Sequence, residues 1–307
     1  MYSIKEKKMY NQVDVFTPHK DEDFVETPYI KELTERAVSY IIAGFPVNLS
    51  GPVGVGKTTL ALHIAAQLAQ PSVLISGEYE FTTSDLVGRY YGYHRNYLRD
   101  NYISSVLKIE EKISPEWIDN SLTTACKYGF TLIYDEFTRS RPETNNVLLS
   151  VLEERILPLS ASNGEVNYIK VHPNFAAIFT SNYEEYAGVQ PSQDALRDRM
   201  ITMELSNFDE ETEIAITQAK SNLPFEDAQR IVNLVRKVRE AKSNKFTPTV
   251  RACVMMGKVL KLKDESTFSY DRASKQIFLD ILMPGVPKEE KEKVREVIEE
   301  ALTAERQ

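Results

Sequence analysis

The segment Gly51-Pro52-Val53-Gly54-Val55-Gly56-Lys57-Thr58 satisfies G-x-x-x-x-G-K-[ST], the spacing of a phosphate-binding loop. Its glycines let the backbone wrap tightly and turn its N–H groups toward an anion. A helix starting at the loop's end adds the positive end of its dipole. Lys57 is then placed to reach β- and γ-phosphates, and the Thr58 hydroxyl to ligate Mg²⁺. The expected binding set is Gly51, Pro52, Val53, Gly54, Val55, Gly56, Lys57, Thr58 and Thr59, joined from farther along the chain by Arg251.

Loops of this kind serve nucleotide hydrolysis, which works by placing charge rather than by covalent chemistry. The apolar run Phe130-Thr131-Leu132-Ile133-Tyr134 ends in Asp135-Glu136. Asp135 is expected to hold Mg²⁺, usually through water, and Glu136 to orient and deprotonate the attacking water. Paired acids at a strand end also occur in solvated turns, but here they follow a phosphate loop. Asn182 closes a further apolar run and could hold the attacking water, although Asn is also a common turn residue. Asp194-Ala195-Leu196-Arg197-Asp198-Arg199 offers Arg197 and Arg199, either as an arginine finger reaching a neighbouring subunit or as surface ion pairs. Arg251, after Thr247-Pro248-Thr249-Val250, opens a helix and could reach the phosphates from that side.

These residues need a scaffold. Phe45–Ser50 reads as the strand before the loop, and Thr59–Ala69 as the helix after it, ended by Pro71. Ser72–Ser76, Phe130–Glu136, Asn174–Asn182 and Ile201–Leu205 read as further strands. Helices are expected from Pro28 to Tyr40, from Thr83, over Asp119–Tyr128 and over Thr144–Arg155. Strands alternating with helices predict an α/β fold, a doubly wound parallel sheet. From Ser206 the pattern is helical, with Ala228, Ile231, Val232, Val235 and Val238 at helix spacing, helices over Val250–Leu260 and Arg272–Leu282, and a charged helix from Lys288. The expected organisation is therefore a flexible N-terminal arm over 1–23, an α/β domain over 24–205 and a small α-helical lid over 206–307. The lid ends in a stripe of Val294, Val297, Ile298, Ala301 and Leu302, expected to pack on the lid itself. Residues 89–114 are rich in Tyr and Arg and read as an insertion with a loop or hairpin at its tip, suited to contacting protein.

Bulk properties narrow the partners. The 307 residues carry a formal net charge of −8, and the pI is about 5.3. That balance argues against a general nucleic-acid coat and against docking on an anionic membrane. Cys126 and Cys253 belong to no C-x-x-C pair and are expected to be reduced, partly buried thiols. His19, His63, His94 and His172 share no ligand spacing, so no metal besides Mg²⁺ is expected. No signal peptide or membrane-spanning run is apparent, and a cytoplasmic location is expected.

Taken in order, phosphate loop, Asp-Glu strand, strand-end Asn, arginine segment and lid arginine resemble an AAA+ ATPase. The Asp85-Leu86-Val87-Gly88 helix with its insertion, and the arginine after Thr-Pro-Thr, look like the MoxR-type branch. Phe24–Tyr29, Glu80–Gly88, Ala125–Pro142 and Glu185–Val189 further resemble the gas vesicle protein N family, a likeness running from about Phe24 to about Leu260. The resemblance implies ATP and Mg²⁺ as cofactors, Lys57 as the loop lysine, and Thr58 and Asp135 at the metal. It implies Glu136 as catalytic glutamate, Asn182 as the first sensor and Arg251 as the lid sensor. Arg199 best matches the finger, with Arg197 second. It also implies a ring-shaped homo-oligomer, a hexamer, acting on other gas vesicle proteins; the acidic balance leaves nucleic acid and membrane out of the expected partners. Two other readings stay open: a MoxR-type chaperone of an unrelated target, and a nucleotide-binding protein of the vesicle shell without enzymatic activity.

Overall fold

The structure, a computed structural model, describes residues 7–10, 13–19, 23–100, 108–160, 166–182, 191–241, 247–262 and 272–304. In chain order the elements begin with β1 (Lys7–Tyr10), β2 (Val13–Phe16), α1 (Pro28–Ile42), β3 (Val47–Ser50), α2 (Lys57–Gln67), β4 (Ser72–Ser76) and α3 (Thr83–Val87). The paired strands β5 (Gly88–Asp100) and β6 (Lys108–Asp119) follow, then α4 (Ser121–Tyr128) and β7 (Thr131–Asp135). Beyond them come α5 (Pro142–Asn145), α6 (Val147–Leu149), β8 (Ile156–Ser160), β9 (Val166–Lys170), β10 (Ala176–Ser181), α7 (Pro191–Arg197) and β11 (Ile201–Glu204). The chain closes with α8 (Glu210–Ser221), α9 (Phe225–Ala241), α10 (Val250–Leu262), α11 (Arg272–Leu282) and α12 (Lys291–Ala304).

Two compact units result. One comprises Met1–His19, Ala37–Ser50 and Ala61–Met203; the other comprises Lys20–Arg36, Gly51–Leu60 and Glu204–Gln307. The division differs from cuts at 24 and 206, because the phosphate loop and the start of α1 group with the C-terminal helices.

The first unit is built on a seven-stranded sheet of order β1-β2-β4-β7-β10-β3-β11. β4, β7, β10 and β3 pair in parallel. Every residue of β3 and β10 is buried, as in parallel strands covered on both faces, which is why these segments read as unbroken runs. Leu132, Tyr134, Phe137, Phe179 and Leu148 form the middle of the core. Since β3, β7 and β10 run the same way, Ser50, Asp135 and Ser181 share the carboxyl edge of the sheet.

Three expectations require correction here. The flexible arm is not structureless where it is described: β2 pairs antiparallel with β4, and β1 with β2. Val13 and Val15 supply a short period-two pattern and enter the core, while Asp14 points out. The helix expected over Thr144–Arg155 is broken into α5, α6 and a wide π-type turn at Ser150–Glu154, which ends at Arg155 with φ +58°. The Tyr/Arg insertion, expected to carry a loop or hairpin only at its tip, is a long antiparallel ribbon through its whole described part, β5 with β6. Gly88 starts it at φ +132°, where a Cβ would strike the Ile118 carbonyl. Buried Asp119 pins its base, accepting from Trp117 Nε1 at 2.8 Å and from Lys127 Nζ at 3.0 Å. The tip, 101–107, lies outside the described residues.

In the second unit, α8 to α12 pack around Ile231, Val235, Met256, Phe278 and Ile298. Val294, Ile298 and Leu302 of the tail helix belong to this core, so its stripe packs on its own helical unit, as expected.

Candidate functional site

The loop begins where β3 ends. Gly54 and Gly56 hold φ of +89° and +86°, the left-handed region that glycine enters without cost. α2 then starts at Lys57, so the loop's amides and the helix's positive end are delivered by the same turn. Lys57 is only 6% exposed, and its Nζ donates to the Gly51 and Pro52 carbonyls, both at 2.8 Å. Its ammonium is thus held over the loop by the loop itself.

Arg251, the second residue of α10, is brought to this loop. A Cβ on Gly54 would lie 2.5 Å from Thr249 Oγ1 and 3.3 Å from Arg251 Cβ, so only glycine allows the approach. A cavity of about 320 Å³ opens beside Gly54, Gly56 and Thr59. Phe24, Ile30 and Phe208 line it with apolar surface, while Lys220, Arg251 and Lys258 supply positive charge. Apolar walls with a few cationic groups suit a flat base attached to anionic phosphates.

The acids stand in the first unit at the end of β7. Thr180, in the neighbouring strand β10, donates from Oγ1 to Asp135 Oδ1 at 2.6 Å and accepts the Glu136 N–H at 2.8 Å. One hydroxyl therefore orients both acidic residues. Glu136 has φ +51° and ψ +42°, a conformation uncommon outside glycine, and its carboxylate meets Arg139 Nη1 at 2.6 Å. Behind them the buried Tyr134 hydroxyl lies 2.8 Å from Ser140 Oγ and 3.1 Å from Asn145 Oδ1, and Asn145 Nδ2 donates to the Phe137 carbonyl. Burial pushes Tyr134 up to about 12. A cleft of about 470 Å³ opens before Asp135, Glu136, Arg139, Glu78 and Tyr79.

Among the described residues no group of three or more His, Cys, Asp or Glu could hold a metal. Mg²⁺ does not need one: it keeps several waters and takes one or two carboxylates together with substrate phosphates. Hard oxygen donors of the Asp135 and Thr58 type fit that habit.

The remaining candidates are distributed. Asn182 follows β10 directly and is 8% exposed. Arg197 pairs with Asp194 at 3.5 Å within its own helical turn. Arg199 instead reaches Glu153 in the π-type turn, with Nε at 2.7 Å, and its Nη1 donates to the Ala195 carbonyl at 2.6 Å. The Glu185–Val189 stretch lies outside the described residues, as do the side chains over 91–116. Sequence reading missed Thr180, Arg139 and Thr249. Arg139 had a signal, three residues after Glu136 at helical spacing. Thr180 and Thr249 had none, because the fold alone brings them to Asp135 and Gly54.

Comparison with known proteins identifies the family. Residues 46–200 match the family described as AAA domain (dynein-related subfamily). The gas vesicle ATPase GvpN of Ancylobacter aquaticus is 50% identical over 247 residues, spanning 80% of this chain and 69% of the relative. GvpN2 of Halobacterium salinarum is 38% identical over 290 residues, spanning 94% and 83%. In fold alone, the crystal structure of NtrX from Brucella abortus is similar, with a TM-score of 0.52 at 13% identity over 89% of this chain and 61% of that one. The chain is thus an ATP-hydrolysing AAA+ protein of the MoxR type and belongs to the gas vesicle ATPase family.

Proposed function

We propose that this ATPase uses Mg²⁺-ATP to drive the assembly or growth of gas vesicles by remodelling another vesicle protein, and that it works as a ring-shaped homo-oligomer, a hexamer. Relatives named gas vesicle ATPases, alike over 80% to 94% of the chain, support the vesicle role. A cytoplasmic location, with association to vesicles, accompanies that reading; no described helix is long and apolar enough to cross a membrane.

The observation that carries the chemistry is the loop, with two left-handed glycines and a lysine held across its carbonyls. In this reading the amides of Gly51–Thr59 hold phosphates. Lys57 exchanges its two loop carbonyls for β- and γ-phosphate oxygens, and Arg251 adds charge beside Gly54. Thr58 and Asp135 are the metal's protein ligands, direct or through water. Bound Mg²⁺ supplies neutralisation of charge on the phosphate oxygens. Glu136, fixed by Thr180 and Arg139, takes the proton of the attacking water; Asn182 orients that water. Arg199, or in second place Arg197, completes a neighbour's site.

The test is a Glu136→Gln trap. The expected result is ATP bound but not turned over, vesicle formation lost in cells, and a vesicle protein retained on the ATP-loaded variant. Wild-type turnover in Glu136→Gln, or normal vesicles in cells making only Lys57→Ala, would reject the proposal.

A further inference from the structure

The helical unit contains a charged cluster outside the roles assigned above. Glu213 of α8 is completely buried. Its Oε1 accepts from Arg239 Nη2 at 2.7 Å, and its Oε2 from Arg236 Nη1 at 2.9 Å and Arg239 Nη1 at 3.4 Å. Burying such charges is costly, and apolar side chains of similar volume commonly do as well for stability. A cluster of this kind is better explained by the geometry it fixes.

That geometry is visible at the third nitrogen of Arg239. Its Nε donates to the Pro248 carbonyl at 3.0 Å. Thr249 comes next, and its carbonyl accepts the Ala252 N–H at 2.9 Å in the opening turn of α10. That turn also carries Arg251, and Thr249 and Arg251 are the two residues that close on Gly54 of the phosphate loop. A guanidinium is a rigid planar fork. With its Nη atoms fixed on Glu213, the direction of Nε is fixed too. The Pro248 carbonyl then cannot shift independently of α8 and α9.

We infer that Arg239 is a positioning residue for Arg251: anchored on buried Glu213, it ties the orientation of α8 and α9 through the Pro248 carbonyl to the turn that sets Thr249 and Arg251 against the phosphate loop. The inference rests on the reading of Arg251 as a phosphate-contacting residue. Arg236 provides an internal control. It shares Glu213, but its other contact is the Phe208 carbonyl at 3.5 Å, in the apolar wall of the cavity rather than in the Thr249 turn, so its change should move ATP and ADP affinity alike and leave their ratio.

The experiment measures Mg²⁺-ATP and Mg²⁺-ADP affinity for the full chain carrying Arg251→Ala, Arg239→Lys, Arg236→Lys and the Arg239→Lys/Arg251→Ala pair, with thermal melting alongside. Arg251→Ala should lower the ratio of ATP to ADP affinity by about tenfold, the usual scale for losing one charge-assisted hydrogen bond. Arg239→Lys keeps the charge facing Glu213 but has one nitrogen where three were used. It should lower the same ratio by about threefold or more, and the pair should fall no further than Arg251→Ala alone, because both changes act through one contact. Arg236→Lys should leave the ratio at the wild-type value at a similar cost in melting temperature. A wild-type ratio for Arg239→Lys beside a lowered one for Arg251→Ala overturns the inference and leaves Arg251 standing. So do losses that multiply in the pair. An unchanged ratio for Arg251→Ala removes the phosphate reading of that residue and the inference with it. Where Arg239→Lys does not fold, Glu213→Gln/Arg239→Gln, which removes both charges together, takes its place with the same expected and overturning results.

Discussion

Thr180 Oγ1 is the smallest group on which the acidic end of β7 depends. It donates to Asp135 and accepts from the Glu136 backbone, so its loss removes one hold on each residue at once. Thr180→Val keeps the shape of a buried strand residue and removes only the hydroxyl. Groups that orient a metal ligand typically contribute tenfold to a hundredfold in metal affinity or activity. Thr180→Val should therefore raise the Mg²⁺ concentration for half-maximal turnover by about tenfold, with melting little changed. A Mg²⁺ titration identical to wild type would show that Thr180 is ordinary packing. Lys57→Ala is the companion test at the loop. It should lose most affinity for a fluorescent ATP analogue, and unchanged affinity would end the phosphate-loop reading. The two residues also differ in how legible they are from the sequence. Lys57 sits in a motif whose parts are neighbours along the chain. Thr180 acts on Asp135 only because β10 pairs with β7. Spacing cannot reveal a partner that sheet register supplies.

At the scale of elements, long apolar runs such as β7 and β10 were legible because burial on both faces leaves no alternation to misread. The short ones were not. β1 and β2 carry four residues each in a polar stretch, and only Val13 and Val15 betray them. The β8–β9 hairpin was likewise passed over between a helix and a strand that were seen. The edge strands lead to a measurable consequence. Deleting residues 1–19 exposes the flank of β4 and removes two buried valines, about 3–6 kcal/mol at the usual 1.5–3 kcal/mol per fully buried side chain. The urea midpoint should fall accordingly; an unchanged midpoint would mean that β1 and β2 contribute no stability. The α10 element makes a second prediction. Burial raises Cys253 from 9.0 to about 12, just as Tyr134 rises from 10.0 to about 12. Folding favours the neutral form of each, so this stabilisation is complete below the unfolded values. It is lost as pH climbs from about 9 through about 12, where the unfolded chain sheds protons first. Stability should decline across that window, and Cys253→Ala should shallow the decline. Equal slopes for the two proteins would contradict the burial of this thiol.

At the scale of the whole molecule, the question is whether one chain suffices for hydrolysis. Arg199 is already engaged, its guanidinium on Glu153 and on the Ala195 carbonyl. Glu153 is more than half exposed, so this is a surface pair of modest strength that a charged phosphate on a neighbour could outcompete. Arg197 pairs with Asp194 of its own helical turn, whereas Arg199 reaches across to another element, and Arg199 is the first choice for the finger. A finger supplied by a neighbour is worth about 10³–10⁵ in rate and nothing to an isolated subunit. Specific activity should then rise with protein concentration. Arg199→Ala should bind ATP yet stay slow at every concentration, whereas Glu153→Gln, which only frees the arginine, should stay active. Mixing Arg199→Ala with Glu136→Gln subunits should restore part of the rate, because the first keeps its own glutamate and borrows an arginine from the second. A finger acting within its own subunit could not be lent this way, since each inactive chain would lack one essential group of its own site. Dilute protein as active as concentrated protein, with no recovery on mixing, would remove the shared site and the proposed ring together.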